Sequence, residues 1–440
     1  MEQNTQGQQE RREARRKRRM RNQILAYATV IVLILAFAAG IVFGVRYLAE
    51  ESRKREQEKQ EQMDELLGQK NELEEPSTET EPEDTVVELT PQQKLDQIVN
   101  AAIEVMPLDD KVAGLFIVTP ESITGVDTAV KAGEGTKNAL TKYSVGGIVY
   151  QTKNIQSEAQ FKEMIDTTKL YANYPLFIAI EDEGGSISPL EAKGLAAKQD
   201  GAKALGESGD SGKAYEVGST IGEYLTDYGF NLNFAPVSDI TSVENSVMAN
   251  RAYGSEAVVV SPYVTSMVRG LKDHKVSACL KHFPGMGATA QDTDKGLAGT
   301  DRSAEDFRAN EFTVFQAGID AGADMVMVSH MSAPSLAGDN TPCSMSSAVV
   351  TDILRRELGF DGVIITDAMN VAAVSDYYDA GDAAVQALRA GCDMILMPED
   401  FEKAYNGVLE AVRSGVISEE RVNDSLRRIY RIKYADRIQE

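Results

Sequence analysis

The chain is poor in cysteine, histidine and basic residues, and it contains no tryptophan. Its three cysteines, Cys279, Cys343 and Cys392, make no disulfide framework and offer no CxxC spacing for a metal. Two of them lie in or beside strand-like segments and read as small core residues. Histidine occurs only at His274, His282 and His330. Acidic residues outnumber basic ones, 68 to 45 in 440, for a net charge of -23. Phosphate binding needs a basic face, so nucleic acid is excluded as a partner, and the acidity serves solubility. No phosphate-binding glycine fingerprint follows the first strand-like run, which counts against an open doubly wound sheet. The acidic turn Glu181-Asp182-Glu183 lacks the alternating ligands of a calcium loop, so neither metal nor cofactor is expected. No hydroxyl nucleophile stands in a triad pattern. Without tryptophan, stacking on a ligand ring falls to tyrosine or phenylalanine.

Against these absences stands one long apolar run. Residues 24–45 are uncharged and long enough to cross a bilayer as a helix, which takes about 20 residues. Eight basic residues precede it, from Arg11 to Arg21. The positive-inside rule keeps residues 1–23 in the cytoplasm and sends the rest outside. The expectation is a single-pass signal anchor in the cell membrane. A cleaved signal peptide competes with it, since Ala36-Phe37-Ala38 resembles a cleavage site, but apolar residues continue to Val45. Residues 46–89 read as a charged helix followed by a disordered acidic linker, PSTETEPEDTVVE. Folding resumes near Thr90, and residues 90–440 read as one extracytoplasmic domain.

In that domain eight apolar runs alternate with amphipathic stretches: Leu115–Val118, Gly147–Tyr150, Leu176–Ile180, Leu232–Pro236, Ala278–Leu280, Met325–Val328, Val363–Ile365 and Met394–Met397. Continuous apolar strands between helices imply a parallel sheet covered by helices, and eight units imply a (β/α)8 TIM-type barrel. Ser303–Ala321 and Ser346–Leu358 read as helices, and Ser418 caps a final helix with Val422, Leu426 and Ile429 along its packing stripe.

Charged residues cluster where these strands end: Glu181-Asp182-Glu183, Asp239, Lys281-His282, His330, Asp367 and Glu399. The C-terminal rim is where such barrels hold their chemistry. Asp367, after a fully apolar strand, is the candidate nucleophile; its bland alternative is a helix cap. Lys281 and His282 are candidates for binding hydroxyls, or for a buried ion pair beneath the mouth. Arg251 can reach the same mouth.

These residues resemble glycoside hydrolase family 3, in its single-domain β-N-acetylhexosaminidase branch, over about Leu108 to Ala435. The matching pieces are Leu108-Asp-Asp-Lys-Val112, Gly146-Gly-Ile148, Glu183-Gly-Gly185, Asn233-Phe-Ala-Pro-Val237, Arg251, Lys281-His-Phe-Pro-Gly285, Gly359-Phe-Asp-Gly362, Thr366-Asp-Ala-Met-Asn370 and Ala390-Gly391 with Asp393. The resemblance implies a two-step retaining displacement with Asp367 as nucleophile. It implies that Arg251, Lys281, His282 and the Glu181 turn hold a sugar.

The branch also uses a loop histidine as acid/base, in the pattern Lys-His-Phe-Pro-Gly-His-Gly-Asp-Thr, then Asp-Ser-His. This chain reads Lys281-His-Phe-Pro-Gly-Met-Gly-Ala-Thr289, then Asp292-Thr293-Asp294. The aspartate is kept as Asp292; the histidine has become Asp294. The sugar-contacting turn has lost both family arginines and reads Glu181-Asp-Glu-Gly-Gly-Ser186-Ile-Ser-Pro189. A histidine titrates at about 6.5 and an aspartate at about 3.9, so an aspartate donor needs its pKa raised, as like-charge coupling between Asp292 and Asp294 would do. Two readings follow. One is a membrane-tethered exo-glycosidase acting outside the cell on N-acetylglucosamine-containing wall glycans, with Asp294 or Asp292 as acid/base. The other is an inactive barrel that binds a glycan or a protein.

Overall fold

The computed structural model describes residues 89–435. The tail, the apolar span and the linker expected over 1–88 lie outside the described residues. Among the described residues no helix is long and apolar enough to cross a membrane. The chain enters the fold at Thr90, whose hydroxyl accepts the Gln93 amide while Gln93 accepts the Thr90 amide in return. With Pro91 at the first helical position, this box starts the helix Pro91–Glu104. That helix buries Leu95, Val99 and Ile103 against the final helix, Glu419–Lys433. Each such aliphatic side chain contributes about 1.5–3 kcal/mol.

Eight parallel strands close a barrel in sequence order: β1 Phe116–Val118, β2 Gly147–Val149, β3 Phe177–Ile180, β4 Leu232–Asn233, β5 Ser277–Phe283, β6 Met325–Val328, β7 Val363–Ala368 and β8 Met394–Leu396. All eight expected runs are strands. They are buried on both faces, which is why their sequences are continuously apolar. β4 is shorter than its apolar run: beyond Asn233 its ladder with β5 becomes irregular, held by the Cys279 amide on the Ala235 carbonyl at 2.9 Å and by a bridge from Val237 to Lys281. Register also shifts between Leu280 and Phe283, and between Ile365 and Ala368. These irregularities lie at the rim, where bulges re-aim side chains.

Two expected helices differ in detail. Ser303–Ala321 breaks into Ala304–Ala309 and Glu311–Asp320 at Asn310, whose backbone leaves the helical region at φ -121°, ψ -77°. The break swings Glu311 inward, where its carboxylate takes Arg302 at 2.9 Å. Ala348–Glu357 winds as a π-helix. The final helix starts at Ser418 as expected and buries Val422, Leu426 and Ile429. All three cysteines are free and buried.

Candidate active site at the C-terminal mouth

The C-terminal ends of the strands open on a pocket of about 840 Å³. Glu181, Arg251, His282, Asp292, Asp294 and Asp367 all stand in its wall. Lys281 stands one layer below, 1 % exposed, and belongs to the buried ion cluster that was its bland alternative. Asp182, Asp239 and His330 are buried supports behind the wall. Glu399 is exposed and outside the pocket.

The acidic turn after β3 is held from two sides. Arg251 donates through Nε to Glu183 at 3.0 Å and through Nη2 to Glu181 at 3.2 Å. The Lys281 ammonium reaches Glu183 at 2.7 Å and the same Glu181 oxygen. Two cations therefore share two carboxylates. Burial pushes Glu183 up, but Lys281 and Arg251 outweigh it and hold it at about 2. Beneath the turn Asp182 accepts from the Tyr224 hydroxyl at 2.8 Å, the Ser188 hydroxyl at 3.0 Å and the Gly184 amide at 3.2 Å. Burial nevertheless pushes Asp182 up to about 7.

His282 is aimed by Asp239. Nδ1 donates to the Asp239 carboxylate at 2.9 Å, which leaves Nε2 for the pocket. The other Asp239 oxygen accepts the Met286 amide at 2.6 Å, so one buried carboxylate fixes both the imidazole and the loop after β5. That loop runs close beneath β4's extension. A Cβ on Gly287 would stand 1.7 Å from the Ile240 carbonyl oxygen, so only glycine fits. Gly285, at φ 137°, sits against Glu311 in the same way.

Asp367 caps no helix; the next one, Ala372–Ser375, begins after Val371, and the carboxylate accepts only the adjoining Ala368 amide at 2.8 Å. Burial pushes its pKa up, but His282, His330, the Ala368 amide and Lys281 outweigh it and hold it below the ordinary range. It is ionised at neutral pH. His330 supports it from below. Its Nε2 donates to the Ala368 carbonyl at 3.1 Å, so Nδ1 accepts from the Ser344 hydroxyl at 2.7 Å. Burial keeps that imidazole neutral.

The two loop aspartates differ. Asp292 pairs with Lys295 at 2.9 Å and lies below the ordinary range, chiefly because of that bond. Asp294, exposed at the rim, is pushed up first by desolvation and then by Asp292 and Asp367. Asp292 is thus biased toward its ionised form and Asp294 toward its protonated one. Their segment is tied to the β7 loop, since the Ala373 amide donates to the Thr293 carbonyl at 3.0 Å.

Residues 107–432 match the glycosyl hydrolase family 3 N-terminal domain. The chain belongs to that family. A β-hexosaminidase A of Pseudoalteromonas piscicida is 30% identical to this family 3 chain over 326 residues, 67% of this chain and 54% of that protein. A β-hexosaminidase of Stenotrophomonas maltophilia is 34% identical over 282 residues, 60% of this chain and 80% of the relative. The structure of a family 3 β-N-acetylglucosaminidase from a Paenibacillus species superposes with a TM-score of 0.71 at 35% identity, over 76% of this chain and 63% of that one. This chain therefore spans little more than half of the first of these proteins and under two thirds of the last.

The sequence pointed to every residue in the charged wall and to Asp182, Asp239 and His330 behind it, but not to the groups that hold these in turn. Tyr224, Ser188, Ser344 and the Arg302–Glu311 pair carry no signature, because each meets its partner through loop conformation or tertiary packing and outside the period of a strand or helix.

Proposed function

We propose that this chain is a retaining exo-glycosidase that acts on β-linked N-acetylglucosamine-containing glycans. The observation that carries the reading is one pocket whose walls hold an ionised Asp367 and an Asp294 biased toward its protonated form. Asp367 attacks the anomeric carbon as the glycosidic C–O bond breaks, and Asp294 gives its proton to the leaving oxygen. Asp294 then takes a proton from the water that releases the sugar. Arg251 and Lys281 present Glu181 to the sugar hydroxyls, and His282 offers Nε2. The names of the relatives support the choice of N-acetylhexosaminide.

The domain works outside the cell, tethered through residues 24–45, on wall glycans. The apolar span and its basic flank support this. Protease added to intact cells should remove the barrel and leave residues 1–23 protected; the reverse pattern defeats the topology.

The test of the chemistry is hydrolysis of an aryl β-N-acetylglucosaminide by the full chain and by Asp367→Ala. Turnover that is absent, or equal in the two, ends the enzymatic reading. Calorimetric glycan binding without turnover, lost in Arg251→Ala, would put an inactive binding barrel in its place, for which the missing arginines at Ser186 and Pro189 already speak.

A further inference from the structure

The loop that carries Asp292 and Asp294 leaves β5 at Pro284 and returns at Ser303, where the helix Ala304–Ala309 begins. Asp294 is exposed near its apex, yet a proton donor must stand within hydrogen-bond reach of the leaving oxygen. The residue placed to set the base of this loop is Glu311. It belongs neither to the loop nor to the pocket wall, and it opens the helix Glu311–Asp320.

The break at Asn310 delivers the fully buried Glu311 side chain between the two ends of the loop. At the outgoing end its stem packs on Gly285, where a Cβ would stand 2.5 Å from Glu311 Cγ. At the returning end Arg302 Nε lies 2.9 and 3.0 Å from the two carboxylate oxygens. One of these oxygens also accepts the Ser242 hydroxyl at 3.1 Å, and the Ser242 amide donates to the Gly287 carbonyl at 3.2 Å. A single carboxylate therefore joins both limbs of the loop to each other and to the segment after β4. Arg302 is fixed in its turn: its carbonyl accepts the Ser335 hydroxyl at 2.6 Å, and its guanidinium lies 5.9 Å from the centre of the Phe307 ring. Farther out the limbs are held by backbone bonds to neighbouring loops, from Val247 to Thr289 and from Thr300 to Ser332, each at 3.1 Å. Well-packed apolar side chains often stabilise a fold as well as a buried ion pair does, so stability is a weak reason for this one.

We infer that Glu311 and Arg302 are a positioning pair for general acid catalysis: by closing the base of the loop they set where Asp294 meets the leaving oxygen. The inference rests on the reading of Asp294 as the proton donor. Sugar binding is spared, because Arg251, His282 and Glu181 have partners of their own in Glu183, Asp239 and Lys281.

The experiment measures kcat/KM of the full chain on aryl β-N-acetylglucosaminides of graded leaving-group acidity, for Glu311→Gln, Arg302→Met and Arg302→Lys beside Asp294→Asn. Glu311→Gln and Arg302→Met should lose about tenfold or more on the poor leaving groups and almost nothing on a dinitrophenyl glycoside, which departs without a proton. Arg302→Lys, which keeps the charge, should recover most of that loss. A pair that only stabilises the fold would change the amount of active enzyme and so scale every substrate alike; that result overturns the inference. If Asp294→Asn shows the leaving-group dependence and neither Glu311→Gln nor Arg302→Met does, the inference alone falls. If Asp294→Asn itself matches the parent, the reading of Asp294 falls and takes the inference with it.

Discussion

The carboxylate of Asp292 accepts the backbone amide of Asp294 at 3.1 Å, so the first of the two loop aspartates holds the second. The bond fixes the turn and puts a negative charge beside Asp294, which favours the protonated side chain.

Asp294→Asn should therefore lower kcat/KM by about 10²–10⁴-fold on substrates with poor leaving groups, and far less on activated aryl glycosides that depart without a proton. On the proposed mechanism the acid limb of the pH profile should follow Asp367, lowered by its cationic neighbours, and the alkaline limb should follow Asp294, raised by desolvation and Asp292. The substitution should erase the alkaline limb alone. A profile and leaving-group series that match the parent would remove Asp294 from the chemistry.

Lys281→Met should be the most damaging change in the mouth for folding. It leaves Glu183, 6 % exposed, with Arg251 as its remaining cation, and breaking such a buried pair costs about 3–5 kcal/mol. Lys162→Met, which breaks an exposed pair with Glu158, should leave stability almost unchanged. Urea denaturation of the two variants measures the contrast, and equal midpoints would contradict the buried cluster.

The barrel was legible because its strands are buried on both faces and so read as unbroken apolar runs. The rim was legible because Lys281, His282 and Asp367 interrupt or end those runs with charge. The side-chain directions were not. Lys281 could equally have faced a ligand or an ion pair, and what decides is Glu181, 100 residues earlier in the chain. Nor could periodicity reveal the break at Asn310, because the reward for it, Glu311 meeting Arg302 and Ser242, lies outside the helical pattern. The sequence does not separate Asp292 from Asp294; the pairing of Asp292 with Lys295 makes their surroundings differ.

Gly287→Ala should disable the site while touching no reacting group. The new methyl would meet the Ile240 carbonyl, and the displaced loop carries Met286, whose amide donates to Asp239 at 2.6 Å and would lose that anchor. A shift of about 1 Å in a catalytic loop can cost about 10²-fold in rate. Gly133→Ala, where a Cβ meets nothing within 4 Å, is the control. Circular dichroism should show both variants folded; full activity in Gly287→Ala would mean that the loop relaxes freely.

The last prediction concerns stability and pH. Asp182 and Glu311 are raised to about 7 by burial, whereas in the unfolded chain they titrate at about 3.9 and 4.3. Between those values the folded state binds more protons than the unfolded one, so each group's contribution is greatest below about 4 and drains away as pH rises through about 7. Glu183, held at about 2, has the opposite sign: its contribution is present above about 4.3 and is lost only as pH falls through about 2. His330, lowered by burial, also opposes Asp182 and Glu311 by favouring the fold as pH rises. The clean readout is therefore a difference. The Tm of Asp182→Asn, taken relative to the unaltered chain, should climb from pH 5 to about pH 7 and level off above it, and that of Glu311→Gln should do the same. A difference that stays flat over this range would mean that both carboxyls ionise in the folded state as easily as in water, and that Tyr224, Ser188 and Arg302 fully offset the cost of their burial.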